Sequence, residues 1–169
     1  GGRLTPRLTV DPIIDMISTR NFRLREESGH NQFFSTFSRF AEATVGRRGE
    51  MLAEATHRAG RQNILYLELM QSGGMLEAAL HGKANADLSA ELGQRVNHVE
   101  LNAIVVNVLA QIDAMEAKAD QLNGCAGKDA SLGCNVTVRY LAQVLRIWEP
   151  EEVYAQTVLA YKLIKADPR

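Results

Sequence analysis

The side chains able to do chemistry in this chain are few and scattered. Four histidines, His30, His57, His81 and His98, are the available imidazoles. A catalytic zinc takes three protein ligands, and a close sequence pair of histidines usually supplies two of them. No His-x-His pair is present, nor any pair one helical turn apart. The two cysteines, Cys125 and Cys134, border a polar stretch rich in glycine. Such a loop can bring its ends within bonding distance, and a disulfide would fit an oxidising compartment, periplasmic or secreted. Two free thiols flanking a loop are the other reading. Glu68 interrupts an otherwise apolar run, either as an acid at a strand end or as a polar group turned into a cavity. Phe33, Phe34, Phe37 and Phe40 recur at helical spacing. They are either a core stripe or flat rings able to cover a flat ligand. His30 reads as an exposed loop residue, and Arg139 and Arg146 as ion-pair partners beside a strand.

These groups are positioned by alternating helices and strands. Asp11 to Ile17 predicts a short helix with proline at its first position. A polar breaker at Ser28-Gly29-His30-Asn31 precedes a helix over Gln32–Thr44. Arg47–Arg61 predicts another, with Met51, Leu52, Ala55 and Ala59 inward. Residues 62–71 hold the clearest strand, and its apolar run suggests a parallel strand covered on both faces. Residues 75–124 form a helical insertion: Met75–Leu80, Ala86–Val96 and a long helix over Val99–Asn123. On that last helix Leu101, Val105, Val108, Ile112, Met115, Ala119 and Leu122 step by four and three, making one continuous seam. The seam needs a partner, either a helix of the same chain or a second copy. Residues 135–169 read as a strand followed by a helix whose start, Glu149-Pro150-Glu151-Glu152, suits a helix N-terminus.

Composition narrows the function classes. The 169 residues carry a formal net charge of -1, so no positive field draws nucleic acid or an anionic membrane. No apolar stretch is long enough to span a bilayer. The Gly1-Gly2 opening suggests a processed end, which leaves any targeting signal unread. The Asn135-Val136-Thr137 sequon reads as accidental.

Three segments, in order, resemble the adenosine deaminase family in its bacterial and secreted growth-factor-like branches. The first runs from Phe22 to Phe40 and includes His30-Asn31-Gln32-Phe33-Phe34-Ser35-Thr36-Phe37. The second is Ala59 to Gln71, with Tyr66-Leu67-Glu68-Leu69. The third is Val138 to Arg169, with Arg139-Tyr140-Leu141. Together they cover about half of the chain.

The resemblance implies a helix-dominated α/β chain, a partial (β/α)8 TIM barrel of the metal-dependent hydrolase type with a helical insertion. Residues 1–169 would be a single incomplete domain lacking most barrel strands, with 1–61 as leading helices. It implies a parent enzyme that hydrolyses adenosine to inosine and ammonia with zinc. Phe33 and Phe37 would form an apolar lid over the purine nucleoside, and Glu68 would support the pocket. The family's metal-binding histidines and catalytic glutamate have no counterpart here, so this chain alone would bind no zinc and be inactive. The competing expectation is a non-enzymatic module that dimerises through the Leu101–Leu122 seam.

Overall fold

The structure, a computed structural model, describes residues 10–22, 28–96 and 98–167. The elements run α1 (Val10–Met16), α2 (Gly29–Thr44), α3 (Arg48–Arg61), β1 (Tyr66–Gln71), α4 (Met75–Asn85), α5 (His98–Asn123), β2 (Thr137–Ala142) and α6 (Pro150–Ala166). Short 3₁₀ turns lie at Leu92–Gln94 and Leu132–Asn135. The fold is α/β and dominated by helix. The chain divides into two compact units, Gly1–Arg48 and Gly49–Arg169.

In the first unit the polar run at Ser28 starts a helix rather than breaking one. Ser28 caps α2: its hydroxyl oxygen accepts the Asn31 N–H at 3.1 Å, satisfying one of the free donors of the first turn. His30 is therefore helical, not a loop residue, and its ring lies 4.6 Å from that of Phe34. Gln32 Nε2 donates to the Ser18 carbonyl at 2.8 Å, and Arg39 Nη1 donates to the Met16 carbonyl at 2.9 Å. These bonds tie α2 to the end of α1.

In the second unit, the end of α3 decides where β1 begins. Asn63 takes a left-handed φ of 59°. Its N–H bonds the Gly60 carbonyl, and the Ile64 N–H reaches back to Ala59 at 2.9 Å. This double closure satisfies the last helical carbonyls. It uses Asn63, Ile64 and Leu65 as a helix exit, so the strand starts at Tyr66 and not near residue 62. Inside α3 the buried stripe is Leu52, Ala53, Thr56 and Ala59, while Met51 is 52% exposed. Leu52 and Ala59 are buried as expected, while Ala53 and Thr56 take the inward places expected of Met51 and Ala55.

Helix α4 continues past Leu80, where it was expected to stop, through Gly82 to Asn85. Gly82 lies against the Glu151 carbonyl of α6, and a Cβ there would sit 2.6 Å from the Ala155 Cβ. Ala78 and Ala155 are both fully buried at 0% exposure, so small residues let the two helices approach closely. Beyond it, the expected helix over Ala86–Val96 is absent apart from one 3₁₀ turn. Asp87 accepts both the Ser89 hydroxyl and its N–H, an Asx turn that competes with helix.

The long α5 has two packing surfaces. Leu101 and Val105 join Ala78, Val96, Ala155 and Leu159 in one core. Farther along, Ala119 and Met115 meet Leu52 and Ala53 of α3 with Leu69 and Val138 of the strands. The seam is thus covered within the chain, except that Leu122 remains 50% exposed. Gly124, at φ 64°, ends the helix: its N–H bonds Gln121 and the Cys125 N–H bonds Asp120.

Strands β1 and β2 pair in parallel, with Tyr66 beside Thr137, Glu68 beside Arg139 and Met70 beside Leu141. Exposure alternates along both strands. Leu69 and Val138 pack on α3 and α5, while Gln71, Tyr140 and Ala142 face Leu109, Ile112 and Leu163 of α5 and α6. Every described helix that touches the sheet through these residues therefore lies on one face. The expectation of a sheet covered on both faces is corrected: the second face is open. Gln156, 1% exposed, closes the β2–α6 connection by accepting the Leu145 N–H at 2.9 Å and donating to Glu152.

Candidate functional site

The open face of the sheet carries Tyr66, Glu68, Thr137 and Arg139. Tyr66, Glu68 and Met70 of β1 stand beside Thr137, Arg139 and Leu141 of β2. They share a face because alternate residues of a strand point the same way. The Tyr66 hydroxyl donates to Glu68 Oε1 at 2.8 Å. That bond raises the phenol pKa above its ordinary value, with desolvation and the Glu68 charge adding to it, so Tyr66 remains a neutral donor. Tyr66 was missed in the sequence, although its place two residues before Glu68 on a strand was the available signal.

Arg139 is the register partner of Glu68, yet its Nη1 donates to the Val138 carbonyl at 2.9 Å. Among the described residues neither Arg139 nor Arg146 makes an ion pair, which corrects that expectation. Beside the open face, the strands end at a turn in which Gln71 Oε1 accepts the Gly73 N–H at 2.9 Å. The polar groups at this end are Gln71, Ser72 and Gln143.

The remaining expected site residues fall elsewhere. Phe33 and Phe37 belong to the first unit, where their rings meet edge to face at 5.2 Å. They are 48% and 47% exposed, so they do not form a sealed core stripe. Cys125 and Cys134 are bonded, with Cα atoms 5.5 Å apart. Of the histidines, His57 Nδ1 lies 2.8 Å from Ser131 Oγ, and His81 Nδ1 lies 2.5 Å from Glu100 Oε2. The second contact joins α4 to α5. His81 Nε2 is a buried atom without a partner among the described residues.

Among the described residues no three metal-ligating side chains come together. The histidines on α2, α3 and α4 serve different neighbours, so these residues do not fit a zinc centre. One open cleft of about 400 Å³ runs along α3 beside Glu54, His57, Arg58 and Arg61. Gln71, Leu109, Tyr140 and Leu163 surround a void of about 40 Å³, far below the size of a ligand pocket. Another cleft of about 250 Å³ opens near Thr56, Glu116, Asp120 and Arg139. There the Tyr140 hydroxyl donates to Glu116 Oε1 at 2.9 Å. No helix among the described residues is long and apolar enough to cross a membrane.

Comparisons of the chain with family models, with curated proteins and with solved structures find no match.

Proposed function

We propose that this chain supplies two neighbouring strands and their outer helices to the (β/α)8 barrel of a zinc-dependent purine nucleoside deaminase. The observation that carries this reading is the one-sided cover of a parallel sheet. In a doubly wound sheet, helices lie on both faces; in a barrel wall they lie only outside, and the inner face looks into the barrel. Here α3, α5 and α6 cover one face, while Glu68, Tyr66 and Arg139 stand on the other. Two parallel strands also leave outer backbone groups without ladder partners, which further strands would satisfy. The resemblance of the Tyr66–Leu69 and Arg139–Leu141 segments to the deaminase family supplies the chemistry: hydrolysis of adenosine to inosine and ammonia.

In this reading Glu68, oriented by Tyr66, is a polar support on the inner wall. Phe33 and Phe37 provide apolar ring surface suited to a purine base. The zinc of such an enzyme would be held by side chains beyond those described, and the isolated chain would be inactive. The test is ammonia release from adenosine, together with zinc content, for the protein encoded by the whole reading frame that contains these residues. Zinc-dependent release supports the proposal. A protein with neither zinc nor release rejects it.

A further inference from the structure

The loop between α5 and β2 is fastened to α3 at several points. Ser131 Oγ lies 2.8 Å from His57 Nδ1 and accepts the Gly133 N–H at 3.1 Å. Gly133 rests on the helix backbone so closely that a Cβ there would lie 2.7 Å from His57 N. Asn123 Nδ2 donates to Thr56 Oγ1 at 3.0 Å, and its carbonyl accepts the Ser131 N–H at 2.9 Å. Between these anchors the partly buried Cys125 and Cys134 are bonded. The 3₁₀ turn Leu132–Asn135 then leads straight into β2, whose Thr137 N–H bonds the Leu65 carbonyl at 2.9 Å. The loop thus joins the end of α5 to the start of β2, the strand that pairs with β1.

We infer that the Cys125–Cys134 bond is a redox-sensitive clasp that holds β2 beside β1. A thiolate of an external dithiol attacks one sulfur and forms a mixed disulfide. The other cysteine leaves as a thiolate and takes up a proton. The reagent's second thiol then resolves the mixed disulfide, leaving the reagent oxidised and both cysteines reduced. Both cysteines lie in a surface loop and are only partly buried, which leaves the bond within reach of a small dithiol. Once the bond opens, the loop gains freedom, its docking on α3 weakens and β2 loosens. The α4–α6 contacts do not pass through the loop and stay in place. This inference is independent of the deaminase reading.

The test is amide hydrogen exchange on the whole chain, with and without dithiothreitol, while free thiols are counted. Reduction is expected to speed exchange across Leu132–Ala142 by about tenfold or more, as local opening does, and to leave α4 and α6 almost unchanged. Reoxidation should restore the slow pattern, and Cys125→Ser with Cys134→Ser should reproduce the fast one without reductant. Unchanged exchange in Leu132–Ala142 after full reduction would overturn the inference. So would equal acceleration in every peptide, which marks a general staple. If the double variant does not fold, reduction of the folded native chain decides the matter.

Discussion

Helices α4, α5 and α6 meet through side chains with almost no exposed surface, whereas the sheet beside them has one face closed and one open. Leu101, Ala78 and Ala155 are 0% exposed, while Met70 is 73% and Tyr66 50% exposed. The two regions therefore differ in completeness. Within the helical layer each small residue meets a neighbour that needs it small. Along β1 and β2 the same alternation that partly buries Leu69 and Val138 leaves Glu68 and Arg139 on a surface without a covering layer. An open parallel face is rare in a finished fold, because such sheets are normally covered.

The largest effect should come from the closed region. Leu101→Ala is expected to destabilise the second unit by about 3–4 kcal/mol, read by denaturant unfolding. A loss well under that would mean the helical layer is looser than its burial suggests. Removing the Cys125–Cys134 bond should lower stability by about 2–3 kcal/mol, given the short loop it closes. Gly82→Ala should cost about 2 kcal/mol, since the added methyl meets the α6 backbone. On the open face, Met70→Thr should change stability by less than about 0.5 kcal/mol in the isolated chain. A loss as large as that of Gly82→Ala would show that the face is covered after all.

The smallest effect concerns pH. Hydrogen bonds from the Ser89 side chain and backbone hold the Asp87 carboxyl below its ordinary value of 3.8. A depressed folded pKa contributes stability above the unfolded value and loses it as pH falls through the folded one. The Asx turn should therefore weaken only below about pH 4. Ser89→Ala should raise the Asp87 pKa, as followed by carboxyl NMR shifts; no movement would remove the turn's assigned cause.

The same division explains what could be read from the letters. The extents of α5 and α6 were legible because caps, acidic first turns and apolar steps agreed. The α5 seam was legible too, and apart from Leu122 it packs on helices and strands of the same chain. The reach of α4 was not, because Gly82 looks like a breaker until Glu151 and Ala155 are placed against it. Asn63 was taken for strand because its left-handed turn leaves no trace in hydrophobic periodicity. Ala86–Val96 was misread because the Asp87–Ser89 bonds compete with helix locally. For the site, the position of Glu68 on a strand was legible, while its Tyr66 donor and Arg139 neighbour required register. The open face could not be foreseen, since an apolar run looks the same whether one side is covered or two.

The central claim is that this open face is the inner wall of a larger barrel. Methionine oxidation tests it directly, because exposed Met70 on the face and exposed Met51 on α3 provide a probe and a control. Peroxide should oxidise both at similar rates in this chain. In the protein from the whole reading frame Met70 should react about tenfold more slowly while Met51 is unchanged, as burial protects a thioether. Equal, rapid oxidation of Met70 in both proteins would contradict the claim.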